Sequence, residues 1–218
     1  MISDERSSMS EIRRIIFEDI YHIRQYQEGY FDTIFDIGAH IGVFSLFMRM
    51  RHPNAKIIAV EPCRETCKYL RQNLTGLGIN IEEIALGDGS QLYFSPREHS
   101  HSHRFVSRPN ENYAVPSMTL PELFAKYRPT HRYMLKIDCE GGERSLIGDL
   151  KAHEILANAK QISIEVHFGY FEDRLSWEEY DEWIRTIPNH SVGYHFSSRK
   201  VGVGNYILEK LGRKYRYE

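Results

Sequence analysis

Four acidic residues each stand at the end of a short apolar run, and this placement could bring them together for chemistry. They are Asp36, Glu61, Asp138 and Glu165, and the runs around them are rich in the β-branched residues that favour buried strands. Because ligands of parallel sheets bind at the carboxyl ends of the strands, we expect these carboxylates to converge on one rim. Carboxylates placed in this way could bind a cationic ligand, accept a proton or hold a divalent ion.

The first of these acids opens a turn that contains two glycines. The strand predicted at Thr33–Ile37 is followed by a helix whose apolar face carries Val43, Leu46, Phe47 and Met50. The turn reads Asp36-x-Gly38-x-x-x-Gly42, whereas dinucleotide-binding turns read G-x-G-x-x-G and receive a pyrophosphate. A carboxylate at the strand end suits a cation better, such as the sulfonium and ammonium groups of S-adenosylmethionine. The alternative is a glycine turn that binds no ligand.

A second group of polar residues lies at the ends of the fourth and fifth predicted strands, 133–137 and 161–167. The candidates for catalysis are Asp138, Glu140, Glu165 and His167. Glu165 and His167 alternate on one strand, so both can face the side that Asp138 presents from the neighbouring strand. One of the four could act as a general base, or together they could hold Mg or Mn. A third possibility is that they only pair with Lys136 or with a ligand, and that catalysis rests on positioning.

The stretch 96–112 is polar and has no periodicity. It holds His99, His101 and His103, spaced two residues apart, followed by Arg104. A long irregular stretch in a compact domain is typical of a functional loop, so we predict a lid that contacts the substrate through these four residues. On a strand the three imidazoles would share a face and could bind metal, whereas in a loop they would line a substrate or be solvated.

Composition narrows the classes of protein to which the chain can belong. The chain has 218 residues, a net charge of −2 and 41% hydrophobic residues, which is typical of one globular domain with no affinity for nucleic acid. No apolar run is long enough to span a membrane, and the polar start is not a targeting peptide, so we expect no membrane partner. Three cysteines indicate a reducing compartment, and we therefore expect a cytoplasmic protein.

Strand and helix signals alternate along the chain, which predicts a mostly parallel sheet with helices on both faces. A leading helix is predicted from Ile12, Ile15, Ile16, Ile20 and Ile23, either packed on the sheet or used in a partner contact such as a homo-oligomer. The third strand is predicted at 79–86, a short strand outside the parallel core at 91–95, and a closing pair at 192–196 and 204–208. The predicted division is an N-terminal extension, 1–30, and a single domain, 31–218, with an insertion loop at about 96–116.

Five segments in order resemble the FkbM family of S-adenosylmethionine-dependent methyltransferases. They are DIGAHIGVFS (36–45), VEP (60–62), ALGD (85–88), SMTL (117–120) and LKIDCEG (135–141). The resemblance runs from about residue 31 to residue 150, with a weaker tail to residue 208, and LKIDCEG is its most specific part. It implies a class I methyltransferase fold, a Rossmann-like three-layer αβα sandwich with an antiparallel final strand. It also implies methyl transfer to an oxygen, typically a hydroxyl of a sugar or a natural product.

The resemblance assigns the cofactor to the turn and to the ends of the neighbouring strands. The predicted cofactor-binding residues are Asp36, Gly38, Ala39, His40, Gly42, Glu61, Pro62, Ala85, Leu86 and Asp138. Asp36 would face the ammonium group, and Glu61 would accept the two ribose hydroxyls. Pro62, Ala85 and Leu86, with Cys63, would form the adenine slot or simply pack in the core. Family members usually carry Asn where His40 stands, so the details of this turn can differ.

Three other functions remain open at this point. One is methylation of an amine or carboxylate on another small molecule, and another is a module that binds S-adenosylmethionine without catalysis. The third, an NAD-dependent oxidoreductase, is disfavoured because G-x-G-x-x-G is absent.

Lys136 alternates with apolar residues on its predicted strand, so its side chain is expected to be buried. A buried lysine needs a partner of opposite charge, so Lys136 could form a structural ion pair.

Overall fold

The computed structural model describes residues 5–95, 104–106, 114–167, 176–198 and 203–210. The helices are α1 (Glu5–Ile12), α2 (Val43–Arg51), α3 (Arg64–Asn73), α4 (Leu120–Tyr127), α5 (Leu150–Asn158) and α6 (Trp177–Thr186). The strands are β1 (Thr33–Ile37), β2 (Lys56–Val60), β3 (Asn80–Glu82), β4 (Ala85–Leu86), β5 (Leu92–Ser95), β6 (Arg104–Val106), β7 (Ala114–Val115), β8 (Ser117–Met118), β9 (Tyr133–Ile137), β10 (Gln161–His167), β11 (His190–Ser198) and β12 (Val203–Lys210). A π-helical turn spans Arg13–Phe17, and a 3₁₀ helix spans Gly142–Leu146.

Seven strands form the central sheet in the order β11-β12-β10-β9-β1-β2-β3. The pairs among β10, β9, β1, β2 and β3 are parallel, and β12 runs antiparallel to both of its neighbours. Every residue of β1, β9 and β10 is buried. This explains why their sequences read as nearly continuous apolar runs, since helices cover both faces of such a sheet. The predicted three-layer fold with an antiparallel final strand is confirmed.

The two faces of the sheet have different cores. Phe35 and Ile37 of β1 point to one face, where they share a cluster with residues of α4, α5 and α6. Ile34 and Met134 point to the other face and pack with α2 and with the residues that precede β1. Because side chains alternate along a strand, Asp36 and Lys136 lie on this second face too. The residues that could do chemistry therefore lie on the side of the sheet that the N-terminal part of the chain covers.

The leading helix predicted from the isoleucine stripe is present only as far as Phe17, so the prediction is wrong for Ile20 and Ile23. Helix α1 ends at Ile12 and the π-helical turn ends at Phe17, yet Ile20 and Ile23 are still buried. The chain turns at Asp19, which has a left-handed backbone (φ 50°) and accepts a hydrogen bond from the N–H of Ile23 at 2.8 Å. Local hydrogen bonds of this kind compete with helix continuation. The division at residue 30 stays a prediction.

The third strand is also shorter than predicted. The segment 79–86 divides into β3, which pairs with β2, and β4, which pairs with β8 in a separate two-stranded sheet. The break falls at Glu83, whose carboxylate is held by Arg64 at 3.2 Å and Arg71 at 2.7 Å. The N–H of Ala85 then donates to the carbonyl of Pro116 at 2.9 Å, which draws the chain out of the central sheet.

The strand predicted at 91–95 lies outside the central sheet, as expected. It is β5, which pairs with β6 and β7 in a three-stranded sheet. Most of the predicted loop at 96–116 lies outside the described residues. No helix in the described part of the chain is both long and apolar enough to cross a membrane.

Candidate active site

The turn after β1 is tightly packed against the chain that follows β9. Gly38 has φ +78°, and a Cβ built there would lie 1.6 Å from the carbonyl oxygen of Asp138. His40 and Gly42 also have positive φ values, 50° and 91°. The N–H groups of Gly38 and Ala39 both donate to the carbonyl of Val60 at 2.9 Å. The two-glycine spacing thus serves a backbone that approaches its neighbours more closely than side chains would allow.

Glu61, at the end of β2, ties this turn to the next strand. One carboxylate oxygen accepts the N–H of His40 at 2.9 Å, and the other accepts the N–H of Cys63 at 2.9 Å. Burial raises the pKa of Glu61, while these N–H donors and His40 oppose the rise. Each carboxylate oxygen has a second lone pair, so Glu61 could accept ligand hydroxyls without losing these bonds.

Asp36 and Lys136 form a buried ion pair on the same face of the sheet. Lys136 Nζ lies 3.3 Å from Asp36 Oδ1, and Ser45 Oγ donates to Asp36 Oδ2 at 2.6 Å. Burial raises the pKa of Asp36, and Lys136 opposes that rise; burial would lower the pKa of Lys136, but Asp36 and its neighbours raise it. The interpretation of Lys136 as part of a structural ion pair therefore fits the geometry. Asp36 is 0% exposed, so direct contact with a cofactor would require this pair to rearrange.

The four predicted catalytic residues lie together at the ends of β9 and β10. His167 Nε2 is 3.9 Å from Asp138 Oδ1, 3.5 Å from Glu140 Oε2 and 3.7 Å from Glu165 Oε1. We call this group, Asp138, Glu140, Glu165 and His167, the rim cluster. Glu140 has a left-handed backbone (φ 51°), which turns the chain back toward His167.

A residue that the sequence analysis missed, Glu143, orients His167. It is fully buried, and one of its oxygens accepts the N–H of His167 at 2.6 Å and lies 2.9 Å from His167 Nδ1. Its other oxygen accepts the N–H of Gly141 at 2.9 Å. Glu143 thus leaves Nε2 as the ring nitrogen that faces the rim cluster. The run Asp-Cys-Glu-Gly-Gly-Glu held the signal, since Glu143 is a further acid after the same strand.

Electrostatics set the protonation states in the rim cluster. Burial alone would lower the pKa of His167, but Glu143, Glu140 and Glu165 raise it well above its usual value. Burial is also the main cause that raises the pKa of Glu140 to about 8, with His167 opposing it. At neutral pH His167 is therefore a cation that donates hydrogen bonds, and Glu140 is largely protonated. A protonated imidazole cannot accept a proton, so a general base in the rim cluster would have to be a carboxylate.

The same residues offer a set of ligands for a metal ion. One ligand atom each from Asp138, Glu140 and His167 lies within 4.8 Å of the others. Two carboxylates and one imidazole suit Mg or Mn, and a histidine held through its other nitrogen by a carboxylate is a common arrangement at metal sites. An ion there would need neutral His167, because the metal takes the place of the Nε2 proton.

The structure describes some of the other predicted site residues and leaves the rest outside its described part. Ala85 and Leu86 are buried, as is Cys63, while Pro62 is partly exposed, so the adenine slot and plain packing both remain compatible with the structure. His99, His101 and His103 lie outside the described residues. Arg104 begins β6, and its backbone pairs with Ser95, but its side chain is outside the description.

Three residues from the N-terminal part of the chain also reach this face, and the sequence analysis did not find them. Glu11 Oε2 lies 2.8 Å from His40 Nδ1, and Arg14 Nη2 lies 3.8 Å from Glu165 Oε2. The carbonyl of Tyr21 accepts a hydrogen bond from Gln161 Nε2 at 2.7 Å. No local pattern could have shown these contacts, since their partners lie 29 or more residues away.

A mostly parallel seven-stranded sheet with this strand order and an antiparallel final strand defines a class I methyltransferase fold. The model of the "Methyltransferase FkbM domain" family matches residues 36–196. The chain therefore belongs to the FkbM family of S-adenosylmethionine-dependent methyltransferases, which confirms the resemblance seen in its segments.

Known relatives match parts of the chain. It is 32% identical over 80 residues to the 31-O-demethyl-FK506 methyltransferase FkbM of Streptomyces tacrolimicus, covering 34% of this chain and 30% of that protein. It is 49% identical over 41 residues to the methyltransferase sdnD of Sordaria araneosa, covering 19% of this chain and 16% of that protein. The alignments thus span less than a third of the length of these relatives.

Solved structures agree on the fold. A methyltransferase FkbM from Methylobacillus flagellatus KT gives a TM-score of 0.54 at 15% identity, covering 82% of this chain and 44% of that chain. A proposed rRNA methylase from Clostridium thermocellum gives a TM-score of 0.53 at 13% identity, covering 90% of this chain and 96% of that one. At these identities the likeness describes the fold alone.

Proposed function

We propose that this chain transfers the methyl group of S-adenosylmethionine to a hydroxyl of a sugar or a natural-product-like small molecule. The observation that carries the proposal is the rim cluster, in which His167 faces Asp138, Glu140 and Glu165 next to the turn at Gly38. Family membership supports methyl transfer. The name of one relative, 31-O-demethyl-FK506 methyltransferase, describes transfer to an oxygen and supports the hydroxyl.

The cofactor would lie along the turn and the ends of β1 and β2. Gly38, Ala39, His40 and Gly42 let the backbone approach the methionine part, and Glu61 accepts the ribose hydroxyls. Pro62, Ala85 and Leu86 border the adenine. The methyl group would then point toward Asp138 at the end of β9.

The acceptor hydroxyl must lose its proton as the methyl group leaves sulfur, because a neutral hydroxyl is a poor nucleophile. In the base mechanism one carboxylate of the rim cluster takes this proton. The imidazolium of His167 lies 3.5 to 3.9 Å from the carboxylates and holds them near it by charge. Glu140 is the less suitable base at neutral pH, since its raised pKa keeps it protonated, which leaves Asp138 and Glu165.

A divalent ion is the alternative way to prepare the hydroxyl. Held by Asp138, Glu140 and His167, it would lower the pKa of a bound hydroxyl. In the third mechanism the cluster only positions the acceptor, and its proton leaves to water.

The first experiment follows release of S-adenosylhomocysteine from S-adenosylmethionine with a panel of methyl glycosides, polyols, amines and carboxylic acids. We expect turnover with hydroxyl acceptors and a product that carries a methyl ether. Turnover confined to amines or carboxylic acids would show the alternative acceptor class. Cofactor binding by calorimetry without any turnover would favour a non-catalytic module, and tight NADH binding would contradict the cofactor assignment.

The second experiment separates the three mechanisms with the best acceptor of the panel. Activity that survives excess EDTA excludes the ion. Asp138→Asn and Glu165→Gln are then compared by single-turnover rates, with Glu178→Gln on α6 as a matched surface control. If a carboxylate is the base, its variant loses about a hundredfold or more in the chemical step. Losses below about tenfold in both variants would leave positioning alone.

A further inference from the structure

The N-terminal segment, residues 11–24, spans the face of the sheet that carries the proposed site. At one end Glu11 lies 2.8 Å from His40, in the turn assigned to the cofactor. At the other end Tyr21 is anchored over β10, because its carbonyl accepts from Gln161 at 2.7 Å and from Ser163 at 3.4 Å. Gln161 and Ser163 lie on the same face of β10 as Glu165 and His167. The segment therefore borders both halves of the site.

The side chain of Tyr21 is packed between this face of the sheet and α2, in the cluster that holds Ile34, Phe44 and Met134. The side chain is only 5% exposed, and its ring packs edge-on against Phe44, with 5.2 Å between the ring centroids. Burial raises the pKa of Tyr21, and the charges that act on its hydroxyl are Lys136, Asp138, Glu165 and Arg14. The hydroxyl therefore stays protonated and can donate a hydrogen bond. In the described part of the chain the hydrogen bonds of Tyr21 involve its carbonyl and not this hydroxyl.

Arg14 brings a cation to the same place. Its side chain is 47% exposed and its Nη2 lies 3.8 Å from Glu165 Oε2, which is too long for a hydrogen bond. The guanidinium is thus held near the cluster by charge while its N–H donors remain able to reach a ligand. Arg13, the next residue, instead pairs with Glu18 at 2.8 Å on the surface.

The two side chains complement the two ionised carboxylates of the rim cluster. The carboxylates of Asp138 and Glu165 can only accept hydrogen bonds when ionised. A sugar or other polyol also presents ring, ether and hydroxyl oxygens beside the reacting hydroxyl, and these oxygens need donors. Tyr21 and Arg14 supply donors from the N-terminal segment that covers this face of the sheet.

We propose that Arg14 and Tyr21 are specificity-determining residues, which donate hydrogen bonds to acceptor oxygens next to the hydroxyl that is methylated. The N-terminal segment is then a wall of the acceptor site as well as part of the core. The proposal rests on the proposed function and deepens it, because it selects acceptors with an oxygen adjacent to the methylated position.

One experiment tests the placement without any acceptor. The probe is a stable nitrogen analogue of S-adenosylmethionine in which a chain bearing a diazirine replaces the methyl group. After irradiation and peptide mapping, we expect insertion into residues 11–24, and Glu61→Ala should reduce labelling by weakening binding of the probe. Labelling confined to other parts of the chain overturns the placement. Failure of the probe to bind, measured by calorimetry, contradicts instead the cofactor assignment of the proposed function.

A second experiment tests the role with the best acceptor of the panel and its deoxy analogue, which lacks the adjacent hydroxyl. The variants are Tyr21→Phe and Arg14→Gln, with Arg13→Gln as the matched control. We expect kcat/KM for the acceptor to fall about tenfold in each variant, since each loses one hydrogen bond. The preference for the acceptor over the deoxy analogue should shrink by a similar factor, while affinity for S-adenosylhomocysteine stays within twofold and Arg13→Gln behaves as wild type.

Two results would overturn the role. One is an unchanged preference between acceptor and deoxy analogue in both variants. The other is an equal loss of cofactor affinity and acceptor kcat/KM, which would show a structural effect of the segment. If no acceptor in the panel is methylated, the proposed function itself is contradicted, and the labelling experiment still decides where the segment lies.

Discussion

Replacing Gly38 with alanine should break the contact on which both halves of the site depend. The added Cβ would lie 1.6 Å from the carbonyl oxygen of Asp138 and 2.6 Å from its carbonyl carbon. Real Cβ atoms essentially never approach backbone closer than 3.0 Å, so Asp138 and the turn must separate by about 1.4 Å. The chain cannot yield easily there, because the N–H of Asp138 donates to the carbonyl of Ile37 at 2.9 Å.

The size of the effect follows from two contributions. A left-handed backbone at a residue with a Cβ costs about 1–2 kcal/mol, and overpacking against rigid backbone adds about 1–3 kcal/mol or more. Gly29 provides the matched control, since it has φ +76° but no heavy atom within 4 Å of the added Cβ. Gly29→Ala therefore measures the first contribution alone. We expect Gly38→Ala to lose at least about 2 kcal/mol more than Gly29→Ala in free energy of unfolding.

The assay is urea denaturation of wild type and both variants, followed by circular dichroism, with affinity for S-adenosylhomocysteine measured by calorimetry. Gly38→Ala should also weaken cofactor binding, whereas Gly29→Ala should not. Equal losses of stability in the two variants would refute the packing argument. Full cofactor affinity in Gly38→Ala would refute the assignment of the cofactor to this turn.

Three further perturbations test buried charges and the proposed cofactor site. Lys136→Met leaves Asp36 buried without its cation and should destabilise the protein by about 3–5 kcal/mol in urea denaturation, with Asp36→Asn in the same background restoring much of the loss. Burial, with Arg51 second, lowers the pKa of His52 to about 4, so folded His52 resists protonation. As pH drops from 6.5 to 4, the free energy of unfolding should therefore fall by about 2 kcal/mol more in wild type than in His52→Gln. Glu61→Ala should lower affinity for S-adenosylhomocysteine at least tenfold by calorimetry, and unchanged affinity would contradict its contact with the ribose.

Much of the fold could be predicted because the strands that build it are buried on both faces. The residues of β1 and β9 are apolar except for Thr33, Asp36 and Lys136. Such nearly continuous apolar runs predict strands of a parallel sheet. The end of β3 was harder to predict, since the two acids that interrupt the run 79–86, Glu82 and Glu83, are also typical of an exposed edge strand. What ends the strand is the pair of contacts from Arg64 and Arg71 to Glu83, which come from α3.

The isoleucine stripe shows a second limit of periodicity. Spacing at three and four residues tells which side chains are buried, and Ile15, Ile20 and Ile23 are indeed buried. It does not tell that the backbone stays helical, because a loop that turns at Asp19 can bury Ile20 and Ile23 as well. Spacing alone could therefore not place Tyr21, which follows that turn, over β10.

Two buried cations compensate the acidic residues at the ends of the strands, and Asp138 lies between these two cations. Lys136 compensates Asp36 on the side of the turn, and His167 compensates Glu140, Glu143 and Glu165 on the side of β10. Asp138 lies between them, with Oδ2 3.9 Å from Lys136 Nζ and Oδ1 3.9 Å from His167 Nε2. Both contacts are too long for hydrogen bonds, as are the contacts of Glu165 with His167 Nε2 at 3.7 Å and with Arg14 Nη2 at 3.8 Å. What distinguishes the two acids is their place, because the backbone of Asp138 packs against Gly38 in the turn that we propose for the cofactor. We therefore expect Asp138 to lie nearer the transferred methyl group, which favours Asp138 over Glu165 as the proposed base.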